Sequence, residues 1–219
     1  MKNYKKNLEL LTKNNVYSKE MEHDACGVGL IASTEGKKSR AIVEYGIEAL
    51  KAVWHRGAVD ADGKTGDGAG IHVEIPKDFF IEKIQVTGHD YDNSEICVGM
   101  IFLPRNDYSA QESCKTIVES ELTKNNFSIY GWRQVPVNPK VLGEKALQTM
   151  PEIIQVLFKS NDPNLLDKNL ERKIYETRKR IENKAFDASL NNFYICSISS
   201  KSIIYKGLYL AEAISDFYL

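Results

Sequence analysis

Five of the chain's 14 glycines fall in one short stretch, Gly57-Ala-Val-Asp-Ala-Asp-Gly-Lys-Thr-Gly-Asp-Gly-Ala-Gly70. At that density neither a helix nor a strand interior holds, since each glycine costs about 0.5–1 kcal/mol relative to alanine. The stretch is therefore a loop, and its flanks say what it joins. Upstream, Val43, Ile47, Leu50 and Trp54 fall at steps of 4, 3 and 4, one apolar face of a helix that Ser39 is placed to cap. Downstream, Ile71, Val73 and Ile75 alternate with His72 and Glu74 and stop at Pro76, which predicts a half-buried strand.

The loop matches no complete phosphate, dinucleotide or calcium pattern. A phosphate loop would need glycine at position 58, where Ala58 stands, and Asp60 and Asp62 would repel phosphate. The G-x-G-x-x-G pattern opens at Gly66 and Gly68 and fails at Ile71. A calcium loop opening at Asp60 would need glycine and glutamate where Thr65 and Ile71 stand. Pattern alone leaves two readings: a tight surface loop whose glycines take positive φ, or a glycine-rich wall against which a ligand approaches the backbone.

Around this loop the elements alternate in kind. Cys26–Ser33 is short, apolar and glycine-punctuated, and reads as a buried strand. Ile96–Leu103 is a continuous apolar run and reads as a central strand. Residues 107–124 read as a helix with Cys114, Ile117, Val118 and Leu122 inward. Strands are expected over Phe127–Val137 and Ile153–Phe158, and a helix along Leu166, Leu170, Ile174, Thr177 and Ile181. Phe193–Ile198 and Ser202–Tyr205 read as a hairpin across Ser199–Lys201, and Leu208–Tyr218 as a helix that starts and stops. Strands that come in adjacent pairs favour α+β with antiparallel sheets over regular βαβ units.

With 219 residues, 42% of them hydrophobic, the chain carries enough apolar material for one large domain. A net charge of −1 gives no general case for nucleic-acid binding. The first 25 residues are polar and lysine-rich, without the apolar core of a secretory signal, and no run approaches the roughly 20 apolar residues of a membrane span. A cytoplasmic location without membrane contact is expected. Cys26, Cys97, Cys114 and Cys196 form no C-x-x-C pair, and His23, His55, His72 and His89 make no zinc spacing with them. Reduced thiols are expected, three of them small buried hydrophobes.

Longer strings carry a resemblance. Met21-Glu-His-Asp-Ala-Cys-Gly-Val-Gly-Leu-Ile-Ala32 and Trp54-His-Arg-Gly-Ala-Val-Asp-Ala-Asp-Gly-Lys-Thr-Gly-Asp-Gly-Ala-Gly70 resemble the start of the glutamate synthase large subunit, in its N-terminal class II glutamine amidotransferase domain. Gly131-Trp-Arg-Gln-Val-Pro-Val137, Phe193-Tyr-Ile-Cys-Ser-Ile-Ser199 and Tyr205-Lys-Gly-Leu-Tyr-Leu-Ala211 continue the likeness. It implies an N-terminal-nucleophile fold, two antiparallel sheets packed face to face between helices. It also implies residues 1–25 as a propeptide-like segment and 26–219 as the front part of the amidotransferase domain.

The implied chemistry centres on Cys26. Removal of Met1–Ala25 would leave its thiol on the first residue, beside an α-amino group whose pKa of about 7.7–8.0 suits a general base. The bland alternative is a buried strand cysteine. Arg56, within His55-Arg56-Gly57, matches the family arginine near the nucleophile, where a fixed guanidinium favours a thiolate; otherwise it is a surface arginine ending a helix. Gly66, Asp67 and Gly68 are expected to shape the pocket wall, with no chemistry assigned to Asp67. The implied substrate is L-glutamine, attacked to give a thioester, ammonia and then glutamate, with the ammonia added to 2-oxoglutarate elsewhere in the enzyme.

Two family strings, one His-Ser-Arg-Phe-Ser-Thr-Asn-like and one His-Asn-Gly-Glu-like, do not occur in residues 1–219. The resemblance assigns them the substrate carboxylate clamp and the oxyanion hole. A fold incomplete at its C-terminus and an isolated chain without glutaminase activity are therefore expected. No cofactor is expected in this chain, whereas FMN and an iron–sulfur cluster are implied for the full-length enzyme. Expected partners are the remainder of the large subunit, in cis or as a separate chain, and a small subunit or ferredoxin. The competing reading is a non-catalytic binding or regulatory module that keeps part of the fold. Other class II amidotransferases share Cys26-Gly27 and His55-Arg56-Gly57 but not the string from Asp60 to Gly70.

Overall fold

The computed structural model describes residues 27–53 and 58–219, together with positions 6, 7, 9, 10 and 13. Cys26, Trp54, His55, Arg56 and Gly57 lie outside the described residues, and so do the expectations that rest on them.

The chain forms α1 (Arg40–Ala52), β1 (Ala69–Glu74), α2 (Lys77–Val86), β2 (Cys97–Leu103), α3 (Tyr108–Lys124), β3 (Phe127–Gln134), α4 (Glu144–Thr149), β4 (Glu152–Ser160), α5 (Asp167–Asp187), β5 (Tyr194–Ser199), β6 (Ser202–Gly207) and α6 (Ile214–Phe217). Short 3-10 turns cover Pro139–Val141 and Ala211–Ala213. β3, β4, β2 and β5 make one sheet in that order, every pairing antiparallel, and β1 and β6 make a second antiparallel pair.

The alternation of side chains divides the core in two. Val98 and Met100 of β2, Leu157 of β4 and Cys196 of β5 face Ile203 of β6 and Tyr209, filling the space between the sheets. Ile47 and Leu50 of α1 and Ile71 and Val73 of β1 pack onto the same cluster. On the opposite face, Ile101, Val156, Phe158 and Ile195 meet Cys114, Val118 and Leu122 of α3 and Leu170, Ile174 and Ile181 of α5. The layers run α1, two-stranded sheet, four-stranded sheet, α3 with α5. The continuous apolar run at Ile96–Leu103 becomes β2 because it lies between β4 and β5 with both faces covered. The alternation at Ile71–Ile75 is borne out by β1, whose side chains alternate between partly covered and exposed.

Two expectations are corrected. The hairpin across Ser199–Lys201 does not form: β5 pairs with β2 and β6 pairs with β1, so the chain turns a corner from one sheet into the other. The corner is held from α5. Glu171 accepts hydrogen bonds from the Ser200 amide (2.7 Å) and from the Ser199 and Ser200 hydroxyls (2.9 and 2.8 Å). Ser199 Oγ in turn accepts from the amides of Lys201 and Ser202. The backbone groups that a tight hairpin would pair with each other are thus taken up by side chains. The buried strand expected over Cys26–Ser33 is the second correction. Cys26 is outside the described residues, and 27–33 form no strand, with Val28 90% and Leu30 89% exposed. An apolar run becomes a strand only where a neighbour completes its ladder, and no described strand lies beside this one. Helix α2 has no counterpart in the sequence reading; Phe80 and Ile84 bury one face of a helix too short for a clear period.

Candidate functional site

Residues 58–68 fold as a small antiparallel ladder. Asp60 donates its amide to Thr65 O (2.9 Å), Asp67 donates to Ala58 O (3.2 Å), and Val59 faces Gly66. The tip turns at Asp60–Gly63, where the Gly63 amide donates to Asp60 O at 2.9 Å and Gly63 has φ +70°. Inside the turn, Asp62 Oδ1 accepts from the amides of Lys64 (2.9 Å) and Thr65 (2.7 Å), and Oδ2 accepts from the Thr65 hydroxyl (2.6 Å). Those donors, the Thr65 hydroxyl foremost, hold the Asp62 carboxyl well below the usual carboxylate range.

The ladder is fastened to α4. Thr65 Oγ1 accepts from the Ala146 amide (3.3 Å), and Lys145 Nζ reaches Asp60 Oδ2 (2.7 Å). The Lys145 hydrogen bond also lowers the Asp60 pKa. Gly143, just before α4, lies so close that a Cβ there would stand 2.6 Å from the Thr65 amide nitrogen. The other side of the ladder rests on the segment after β6. A Cβ on Gly66 would stand 2.5 Å from the Tyr209 carbonyl oxygen, so only glycine lets the two backbones meet. Gly68 has φ +125°, a conformation that L side chains rarely adopt.

Of the expected wall residues, Gly66 is buried in the seam with Tyr209, while Asp67 and Gly68 are exposed beside it. Cys26 and Arg56 are outside the described residues, so the structure relates neither to the loop. Sequence reading missed the fastening: Asp62, Thr65, Gly143 and Lys145. The Asp62-x-x-Thr65 spacing, whose side chains close a turn on themselves, was the available signal. Gly143 and Lys145 gave none, because they lie far away in the chain. Tyr209, also missed, is fully buried under the loop and its hydroxyl has no hydrogen-bond partner among the described residues.

The three described cysteines are buried and unbridged. Burial pushes the Cys114 and Cys196 thiols up to about 11 and the Cys97 thiol higher still. As expected from sequence, they are packing residues. Among the described residues no group of three or more His, Cys, Asp and Glu side chains could hold a metal ion, and no helix is long and apolar enough to cross a membrane. One cleft of about 410 Å³ lies between α3 and α5 and another of about 380 Å³ beside β3 and α3; neither is lined by the glycine loop.

Comparison with known proteins decides the family. The description "Glutamine amidotransferases class-II" matches residues 26–219, nearly the whole described chain. The chain belongs to the class II glutamine amidotransferases. Among relatives of this amidotransferase, the "Glutamate synthase [NADPH] large chain" of Azospirillum brasilense is 53% identical over 215 residues, 98% of this chain and 14% of that protein. "Ferredoxin-dependent glutamate synthase 1, chloroplastic/mitochondrial" of Arabidopsis thaliana is 39% identical over 200 residues, 90% of this chain and 12% of that protein. "Ferredoxin-dependent glutamate synthase 2" of Synechocystis is 37% identical over 199 residues. The chain thus spans about one seventh or less of the length of these relatives. The family fixes the fold class as the N-terminal-nucleophile type, and the antiparallel sheets between helices are its layers.

Proposed function

We propose that this chain carries the glutamine-cleaving half of glutamate synthesis, with Cys26 as nucleophile. The observation that carries the reading is where the family match begins: residue 26, a cysteine, whereas the three described cysteines are buried packing residues. A thiol must ionise to attack, and burial holds Cys97, Cys114 and Cys196 neutral at cellular pH. The alignment with the Azospirillum brasilense protein covers 98% of the chain and so reaches into the residues before Cys26. A leading segment shared with that relative is the part whose removal would expose Cys26 as the first residue.

After cleavage of the Ala25–Cys26 bond, the new α-amino group takes the thiol proton and the sulfur adds to the side-chain amide carbon of glutamine. The tetrahedral intermediate collapses with the proton passed to nitrogen, so that the C–N bond breaks and ammonia leaves. Water then adds to the γ-glutamyl thioester, releasing glutamate and restoring the thiol. Arg56 favours the thiolate. Gly66 and Gly68 let backbone line the pocket, with Asp67 at its rim. The ammonia passes to a synthase site elsewhere in a longer polypeptide or on a partner chain, fed by a small subunit or by ferredoxin. The flavin and iron–sulfur chemistry implied for the full-length enzyme would belong there.

The carboxylate clamp and oxyanion donors are not supplied by any matching string in residues 1–219, so the chain alone is expected to show no steady-state glutaminase. Loss of even one oxyanion donor typically costs about 10²–10³ in rate. The test is N-terminal mass analysis combined with a γ-electrophilic glutamine analogue, applied to a polypeptide that includes the complementing region. A mature chain beginning at Cys26, labelled on that residue and unlabelled in Cys26→Ala, is the expected result. Label retained by Cys26→Ala would refute the assignment.

A further inference from the structure

The chain contains two Asp-Gly dipeptides, Asp62-Gly63 and Asp67-Gly68, and both lie in the glycine loop. This dipeptide isomerises without an enzyme. The glycine amide nitrogen attacks the aspartate side-chain carbon, a C–N bond forms, and water leaves to give a cyclic succinimide. Water then adds back at either carbonyl. One route restores aspartate, and the other leaves isoaspartate, with the main chain running through Cβ. The water lost is regained, so no further reactant is consumed. The ring closes from the protonated carboxyl, whose oxygen departs as water, and it needs a nitrogen with room to approach. Glycine gives that room because it has no Cβ.

The fold treats the two dipeptides differently. At Asp62-Gly63 both reacting groups are engaged. Asp62 Oδ1 accepts from the Lys64 and Thr65 amides and Oδ2 from the Thr65 hydroxyl. These donors, the Thr65 hydroxyl foremost, disfavour the protonated carboxyl. The Gly63 amide donates to Asp60 O at 2.9 Å. At Asp67-Gly68 neither group is engaged by the described residues. Asp67 is exposed, and the ion pair to Lys145 is made by Asp60 instead. The Gly68 amide donates to no described residue. Its surroundings are open, since a Cβ on Gly68 would meet nothing nearer than the Gly207 carbonyl oxygen at 3.7 Å. We propose that Asp67–Gly68 is a site of spontaneous isoaspartate formation in the folded protein, and that the turn around Asp62 protects its own Asp-Gly bond. The site stands on loop geometry and is independent of the function proposed above. Isoaspartate adds a carbon to the main chain between two fixed points, Gly66 against the Tyr209 carbonyl and Ala69 paired with Gly207. The segment between them must then bulge.

The test ages the 219-residue chain at neutral pH, folded and in urea, until the urea sample carries isoaspartate at both dipeptides. Peptide mapping then scores each position separately. Isoaspartate resists a protease that cleaves before aspartate, and it takes up labelled methyl from S-adenosylmethionine in the presence of an isoaspartyl methyltransferase. In the folded chain isoaspartate should form at position 67 at least about tenfold faster than at 62, because the protonated fraction falls in proportion as the Asp62 pKa falls. In urea, where the turn is gone, the two rates should converge. Asp67→Glu, whose longer side chain cannot close the same ring, should leave position 67 unmodified and position 62 as before. Equal rates at the two dipeptides of the folded chain, or isoaspartate at 67 that forms only in urea, overturns the proposal.

Discussion

An alanine at position 143 would push its Cβ into Asp62 Oδ2 and Thr65 Oγ1 and to 2.6 Å from the Thr65 amide nitrogen. The backbone there is ordinary, with φ −71° and ψ 164°, so alanine fits the local conformation. Such a replacement in open space gains about 0.4–1 kcal/mol by restricting the unfolded chain. Here that gain opposes an overpacking cost of about 1–3 kcal/mol. The cost is real because one of the atoms met is backbone, which cannot swing aside. The net expectation for Gly143→Ala is a loss of about 1–2 kcal/mol, or a Tm lower by about 2–8 °C for a domain of this size. Thermal unfolding followed by circular dichroism measures it. Hydrogen exchange adds the location: the Ala146 amide, bonded to Thr65 Oγ1, should lose protection before the sheet amides do. Gly29→Ala, with nothing within 4 Å of its Cβ, is the comparison and should show no loss. An unchanged or raised Tm in Gly143→Ala, with Ala146 still protected, would refute the fastening of the glycine loop to α4.

Two further perturbations probe the layers themselves. Phe158→Ala empties a fully buried site that meets Phe127 edge-to-face at 5.3 Å, and should cost about 3–5 kcal/mol in urea unfolding; a loss below about 1 kcal/mol would contradict the packing of α3 and α5 on the sheet. Acid should weaken the α3–α5 contact. Lys184, foremost, holds the Glu121 carboxyl below its ordinary 4.5, so the native state favours the charged form. That contribution is present above about pH 4.5 and is lost as pH falls through the lower native value. Urea midpoints of Glu121→Gln should therefore decline less steeply on acidification, and identical acid slopes in both proteins would sink the assignment.

The family was legible along the chain, because the resemblance resides in contiguous strings. The glycine spacing at 57–70 excluded the phosphate, dinucleotide and calcium patterns, and the strings around Cys26 and Arg56 pointed to the family that the comparison returned. The rest was hidden for a physical reason. Gly143 and Lys145 are more than 70 positions from the loop they fasten, and nothing local distinguishes them from an ordinary helix start. Arg133 and Gln155 read as two polar residues in strands; only the β3–β4 register sets one against the other.

The same division runs through the fold. Periodicity settled the helices α3 and α5, since each buries a face whose spacing is a local property of the backbone, and a continuous apolar run marked β2, which is buried on both faces. The partner of each strand was not settled that way. Phe193–Ile198 and Ser202–Tyr205 have the pattern of a hairpin, yet Glu171 takes the corner's amide and hydroxyls and sends β6 to β1 in the other sheet. Residues 27–33 have the composition of a buried strand and stand exposed. Side-chain period is carried by the residues themselves. Pairing depends on which backbone edges the tertiary structure brings within hydrogen-bonding distance, and that was decided only by the folded chain.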